Sequence, residues 1–435
     1  MEEAKEREPE QLRREVGLFG LTVYGVGSIL GAGIYALIGA AAGLAGYGLW
    51  LAFLNSGLIA LLTGLSYAEL SSIFPRAGAE YHYVRNGFGS TRLGFLTGWA
   101  LIVGAAGAAA TVAVGFAGYL EQLTDIPRTL SAFALIGVLS AVNFLGIRHS
   151  TALNVGLTAI EVGGLVLVIF LGLTRGPLAF VPALPGDFAG VISAAALLFF
   201  SYLGFEHIAN IAEEARNPQD ILPKALMGAI GISALLYVLV ALASVALVQP
   251  EVLAASHAPI AMVASQVLGP LGGTVLSIIA LFATANTVLL VLVASSRLVF
   301  GMARDGALPM ALTDINPSTR TPGSAIIFLM VLSWAILPLG DLRLIGSLSS
   351  FSALVAFTLV NLALLRLRYV RPDLPRPFRS PVNVGRFPVL AALGALSAIG
   401  AGLLLDRNVI LIGTGILVAG LLASYVLPAR GLRRG

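Results

Sequence analysis

Apolar residues run along this chain in long, nearly unbroken stretches, separated by short segments rich in arginine, glycine and proline. A bilayer core about 30 Å thick takes roughly 20 apolar helical residues to cross. By that measure the pattern predicts twelve spans, near 17–44, 48–74, 93–121, 128–146, 150–174, 188–212, 223–248, 270–303, 322–340, 342–368, 387–404 and 408–428. The eighth is long enough to extend past the membrane. The expectation is an all-α, polytopic membrane protein.

Composition strengthens that reading. Of 435 residues, 57% are hydrophobic and 11% charged, and the mean hydropathy is +0.92; a soluble domain carries about 25% charged residues. A pI near 9.5 would suit a nucleic-acid partner, but the basic residues sit in short segments between apolar runs, which argues for membrane topology and against nucleic acid. With the N-terminus in the cytoplasm, Arg128, Arg175, Arg343 and Arg407 fall outside and the other 22 of the 26 basic residues fall inside. The positive-inside rule then places both termini in the cytoplasm, as in a multi-pass plasma-membrane protein. Met1 to Glu15 are charged and polar, unlike a cleavable signal. There is no cysteine, and histidines 82, 149, 207 and 257 lack metal-ligand spacing. No metal, cofactor or obligatory protein partner is expected. The spans supply no nucleophile–base set for an enzyme and no repeated carbonyl filter for a channel.

Two spans stand apart. The first crowds Gly25, Gly27, Gly31, Gly33 and Gly39, and the sixth sets Gly204 and Glu206 mid-span. Taken alone, a pair such as Gly27 and Gly31 suits close helix packing. Two such spans, five apart and so inserted in opposite senses, suit paired interrupted helices at a midplane transport site. A break at Gly31–Ile34 would free backbone N–H groups at the positive end of a helix dipole, which attracts a carboxylate. Carbonyls freed around Phe199–Tyr202 would accept from an ammonium. Together the breaks suit an amino acid zwitterion held by backbone alone, while the side chain is read by the remaining cavity. Gly104, Ala105, Gly107, Ala108 and Ala109 of the third span would leave room there.

Ordered motifs carry a family resemblance. Gly27-Ser28-Ile29-Leu30-Gly31-Ala32-Gly33-Ile34 resembles the first-helix signature of the amino acid–polyamine–organocation transporters. Tyr67-Ala68-Glu69-Leu70 with Pro75-Arg76-Ala77-Gly78-Ala79-Glu80-Tyr81 is similar to their second helix and following loop. Phe200-Ser201-Tyr202-Leu203-Gly204-Phe205-Glu206, then Glu213-Glu214-Ala215-Arg216-Asn217-Pro218, resembles their sixth helix and loop. Arg371 to Arg379 resembles their tenth-to-eleventh loop.

The resemblance implies a LeuT-type fold with discontinuous helices 1 and 6. A cytoplasmic segment (1–16) precedes two inverted five-helix repeats (17–174 and 175–368), a cytoplasmic loop (369–386), and two accessory helices with a basic tail (387–435). It implies that Gly31, Ala32, Gly33 and Ile34 hold the substrate carboxylate and that carbonyls near Phe199, Phe200 and Tyr202 hold the amine. Ser28 and Gly204 flank the breaks, and Phe200 closes over substrate. The implied activity is secondary active transport, with small or medium neutral amino acids as substrate and H⁺ as coupling ion. Ion-independent exchange and cationic amino acid or polyamine transport are the alternatives.

Glu161 departs from the pattern. Many proton-coupled relatives carry a lysine there, whose ammonium donates to carbonyls of the unwound first helix. An ionised carboxylate cannot donate; a neutral one can. Carboxylates inside a membrane are costly enough to be functional by default, so Glu161 is expected to carry the coupled proton and, when neutral, to hold the first helix. Alternatives are an arginine partner, a water-filled cavity, or Na⁺ binding with Thr284 or Thr287. Glu206 is expected to relay a proton or to brace a neighbouring helix. Glu69, and Glu213-Glu214 with Arg216, read as parts of inner salt-bridge networks, with solvated loop charges the leading account of Glu213 and Glu214.

Overall fold

The computed structural model describes residues 12–121, 124–175, 188–256, 258–339 and 342–426. Most of the 1–16 segment, the basic tail beyond 426, His257 and residues 176–187 of the second repeat lie outside the described residues.

Every predicted stretch coincides with a helix or a broken helix. The chain runs through α1 (Leu18–Ala45), α2 (Leu49–Ile73), α3 (Ala79–Phe88), α4 (Thr91–Glu121), α5 (Arg128–Phe144) and α6 (Ile147–Arg175). Next come α7 (Phe188–Leu198), α8 (His207–Asn210), α9 (Pro218–Leu247), α10 (Pro250–Ala254), α11 (Pro259–Leu268) and α12 (Pro270–Arg304). The chain closes with α13 (Gly323–Ile336), α14 (Leu342–Val370), α15 (Val389–Leu403) and α16 (Arg407–Val426). Prolines open α9 to α12, where the first-turn N–H has no helical partner in any case. Between α14 and α15 a small hairpin pairs Asn383 with Pro388 and Val384 with Phe387.

Among the described residues, eight helices are long and apolar enough to cross a bilayer, or nine if the sharply bent α15–α16 pair is one span. The protein is a polytopic all-α membrane protein. At 35 residues, α12 rises well beyond a ~30 Å hydrocarbon core. Large apolar side chains such as Phe19, Ile192, Leu271 and Leu396 are exposed on its outside, as lipid requires. Lipid gives helices little hydrophobic reason to associate, so close packing and interhelical hydrogen bonds hold them. Ser56 Oγ donates to Ala195 O (2.7 Å), Tyr24 Oη to Leu290 O (3.0 Å), Trp99 Nε1 to Ile416 O (3.2 Å) and Trp334 Nε1 to Phe133 O (3.1 Å).

Ion pairs fasten one end of the bundle, called the inner end below. Val16 pairs with Ala215 in a parallel bridge, through Val16 N to Glu214 O (3.0 Å) and Arg216 N to Val16 O (2.9 Å). Glu69 of α2 is buried against Arg368 of α14 (Nε to Oε1, 3.0 Å) and accepts from Ser380 N at 2.8 Å. Glu213 and Glu214 follow the salt-bridge reading rather than that of solvated loop charges, with Arg304 and Arg297 as partners in place of Arg216. Glu214 is buried and takes both arms of the fully buried Arg297 (3.0 and 2.9 Å), and Glu213 pairs with Arg304 at 2.7 Å. Burial pushes the Glu213 carboxyl up, but Arg304 and the Ala77 N–H outweigh it and hold it below the usual value. Removing one partner of a buried pair strands the other, at about 3–5 kcal/mol. Arg297→Met is therefore expected to lower the melting temperature in detergent markedly, and Arg297→Met with Glu214→Leu to recover most of the loss. Equal melting of single variant and wild type would refute a buried charge pair.

Candidate functional site

The two unusual spans are both interrupted, and they touch at the interruptions. In α1 the helical angles fail at Gly31 (φ −12°, ψ −146°). The sixth stretch runs from α7 into a 3₁₀ turn over Phe199–Tyr202, extends at Leu203, passes Gly204 at φ +121° and resumes as α8. A β-carbon at Gly33 would lie 2.7 Å from Ser201 Cα, and one at Gly204 would lie 2.7 Å from the Ser28 carbonyl carbon. Only glycine permits either approach, and at Gly204 the positive φ demands it as well.

A cavity of about 110 Å³ opens along this contact, enough for several waters or one small solute. Ser28, Gly31, Gly33, Phe200, Ser201 and Gly204 line it. The hydroxyls of Ser28 and Ser201 are buried without a hydrogen-bond partner. Opposite stand Leu101, Ala105, Ala108, Val112, Val291 and Ala353. Gly104 also lines the cavity, whereas Gly107 packs on Ile345 and Ser349 of α14, and Ala109 is fully buried. Phe200 and Leu203 separate this space from a larger cavity of about 920 Å³, reached past Leu37, Thr111 and Asp406 on the side away from the inner end.

The remaining expected residues sort themselves by geometry. Ala32 continues α1 beyond the break, and Ile34 is fully buried. Phe199 is buried edge-on to Phe357. The Tyr202 side chain points to α2, where its hydroxyl donates to Phe53 O at 2.9 Å. Thr287 abuts Gly31, while its hydroxyl and that of Thr284 donate to carbonyls of their own helix. Glu206 braces its own break rather than a neighbouring helix: its carboxylate accepts the Gly204 N–H at 2.8 Å.

Glu161 is fully buried, and neither carboxyl oxygen has a hydrogen-bond partner. The hydrogen bond to first-helix carbonyls expected of a neutral Glu161 is not made. Asn286 and Tyr35 are beside it. Thr158 links Asn154 (2.9 Å) to Asn286 (2.9 Å), yet Asn154 Nδ2 and Asn286 Oδ1 also lack partners. Among the described residues no cluster of three or more His, Cys, Asp or Glu could hold a metal.

Sequence reasoning missed two residues at this centre. Tyr237 of α9 places its hydroxyl 2.6 Å from Ile29 O and 2.9 Å from Ser201 O, so one phenol serves carbonyls at both breaks. Glu80 lies at the inner floor of the cavity beside Asn210. Glu80 had a signal, a carboxylate within the loop motif; Tyr237 looked like any tyrosine in an apolar run.

A many-helix membrane protein whose two interrupted helices abut at a central cavity is, by class, a membrane transporter. Residues 16–422 match the amino acid permease family, and the chain belongs to that family. It is 31% identical over 411 residues to the branched-chain amino acid permease BcaP of Bacillus subtilis, covering 89% of this chain and 88% of that one. It is 29% identical to the methylthioribose transporter of the same organism, covering 88% and 87% of the two chains. To the vacuolar cationic amino acid transporter 4 of Arabidopsis thaliana it is 31% identical, covering 84% of this chain and 65% of the relative. The family's description and the names of these relatives point to a transporter, with amino acid transport the activity the family is named for.

Proposed function

We propose that this chain is a proton-coupled symporter of small or medium neutral amino acids, working by alternating access in the plasma membrane with both termini cytoplasmic. On this reading twelve spans form two inverted five-helix repeats (17–174 and 175–368), followed by the 369–386 loop and two accessory helices. One observation carries the substrate reading: the two helix breaks meet, Gly33 on Ser201 and Gly204 on Ser28, at one cavity.

N–H groups at Gly31–Ile34, at the positive end of a half-helix, bind the carboxylate. Carbonyls over Phe199–Tyr202 take the ammonium. The small, apolar far wall suits an aliphatic side chain, in keeping with relatives named as branched-chain amino acid permeases. Phe200, between the two cavities, serves as the lid. The fastened inner end and the open cavity opposite fit an outward-facing arrangement. Glu161 carries the coupled proton, with Na⁺ held at Thr284 and Thr287 as the alternative.

A cationic substrate is the second reading. Glu80 and Glu206 line the inner floor of the cavity, and some relatives are named cationic amino acid transporters. Uptake of labelled leucine, valine, alanine and lysine into proteoliposomes separates these readings. Accumulation of a neutral amino acid driven by an inward proton gradient is expected. Counterflow indifferent to that gradient would replace symport with exchange, and preference for lysine would replace the neutral substrate.

A further inference from the structure

Below the substrate cradle, the short helix α3 and the segment after the sixth-stretch break hold each other through one side chain. Asn210 Nδ2 donates to both carboxylate oxygens of Glu80, at 2.9 and 3.2 Å, and Asn210 Oδ1 accepts the Ala79 N–H at 3.1 Å. From α2, the Tyr67 hydroxyl adds a second donor to Glu80 at 3.3 Å. Glu80 is fully buried, Asn210 nearly so, and both line the cavity. The hydrogen bonds from α8 to α3 at the cavity floor thus run through an amide that reads a carboxylate on one side and a backbone N–H on the other.

We infer that Glu80 is a second proton-binding site of the transporter, and that its ionised form latches α3 to α8 through Asn210 and keeps the inner floor closed. The donor count sets the direction. Two donor groups, the Asn210 amide and the Tyr67 hydroxyl, converge on Glu80, which suits a carboxylate. The Asn210 amide, with its Oδ1 committed to the Ala79 N–H, can only donate to Glu80, and hydrogen bonds to an ionised acceptor are about twice as strong as neutral ones. A proton arriving from the cavity therefore loosens the latch, and its departure tightens it.

The surroundings keep Glu80 able to titrate. Burial pushes its carboxyl up to about 7, against the opposing pull of Asn210 and Tyr67. Its titratable neighbours are Tyr67 on α2, Tyr83 on α3 itself, and Glu206 and His207 at the start of α8. The nearby charges are engaged elsewhere: Arg297 and Arg304 of α12 take Glu214 and Glu213, Asp305 just after α12 takes Arg85 at 2.6 Å, and Arg366 of α14 lies over the Phe88 ring. No cation pairs with Glu80 among the described residues, so burial outweighs its donors and the change falls near neutral pH. The latch is intact above about pH 7 and weakened below it.

The inference rests on the transport reading for its purpose, but its test needs no substrate. The chain has no native cysteine, so spin labels can be placed at Asn86→Cys on α3 and Gln219→Cys on α9, both exposed. Pulsed electron spin resonance on this pair, in lipid nanodiscs between pH 8.5 and 5.5, reads the separation of the two elements. A longer-distance population is expected to grow several-fold as pH falls through about 7. With Glu80→Gln the distribution should lose its pH dependence, and with Asn210→Ala the longer population should dominate at both extremes. A pH response that survives Glu80→Gln, or one short distance in every variant at every pH, overturns the proposal. A Glu80-dependent response in a protein that takes up no amino acid would uphold the latch and overturn the transport reading instead.

Discussion

Gly33→Ala is expected to reduce amino acid uptake by roughly a hundredfold while leaving a folded, membrane-inserted protein. The added methyl would sit 2.7 Å from Ser201 Cα and 2.9 Å from Ser201 Cβ and Oγ. Backbone on the far side cannot swing away as a long side chain could, so the two breaks must spread. Overpacking of this kind costs about 1–3 kcal/mol in stability, which a bundle of this size survives. The cradle is less forgiving, because displacing binding groups by about 1 Å can cost a hundredfold in rate. Gly163→Ala is the matched control, since that glycine lies in α6 with open space where a β-carbon would stand. Initial uptake rates in proteoliposomes, normalised to inserted protein, read the effect. Wild-type rates in Gly33→Ala would mean that the contact between the breaks has no part in substrate binding.

What could be read before folding, and what could not, divides along the range of the interactions involved. Helix positions follow from local hydropathy, so the stretch expected near 150–174 is the helix Ile147–Arg175, and the one near 223–248 is Pro218–Leu247. The interruptions were legible for the same reason. Glycine at 31 and 204 weakens a helix locally, and each lies where the angles depart from helical. Partners distant in sequence were not legible. Glu214 read as a solvated loop charge or a partner of the nearby Arg216, yet its partner is Arg297, 83 residues away. Arg297 did offer a clue, as an arginine inside an otherwise apolar run is expensive without a partner. Tyr202 was expected at the amine through its carbonyl, and nothing local indicated that its hydroxyl would reach α2. Tyr237 gave no clue either: its role at both breaks exists only once α9 packs across α1.

The same distinction explains why the two ends of the molecule differ. The inner end is held by charges from segments far apart in sequence: Glu69 with Arg368, Glu214 with Arg297, Glu213 with Arg304. Such pairs hold fixed geometry but can be exchanged for water when an interface parts. The opposite side has Phe200 and Leu203 between its large cavity and the central one, a thin apolar partition that a rotamer change can open. On the transport reading, solute enters past a side chain and leaves only after an ion-paired interface separates. Outward opening is then the cheaper rearrangement in the resting protein.

Glu161→Gln is expected to abolish proton-driven accumulation while sparing counterflow. Glutamine matches the neutral carboxyl in size and can still donate, but it cannot release a proton. Glu161 sits fully buried with both oxygens unpartnered, beside Asn286, whose Oδ1 is also unsatisfied, as is Asn154 Nδ2 across Thr158. Leaving polar groups stranded at this depth costs about 1–3 kcal/mol for each neutral one, and more for a charge. A site holding several of them is therefore poised to gain from a new proton or ion. Under symport, the proton enters with substrate and must leave before the carrier resets empty. A permanently neutral side chain allows the loaded carrier to cross in both directions and blocks the empty return. Counterflow from preloaded proteoliposomes should thus continue within a few-fold of wild type, while uphill uptake under an inward proton gradient falls to the background of empty liposomes. Replacing the proton gradient with a sodium gradient separates the alternative, since sodium-driven uptake in wild type that disappears in Glu161→Gln would assign the carboxylate to Na⁺. Uphill uptake that persists in Glu161→Gln and still follows the proton gradient would remove Glu161 from coupling and leave its unsatisfied oxygens as a purely structural cost.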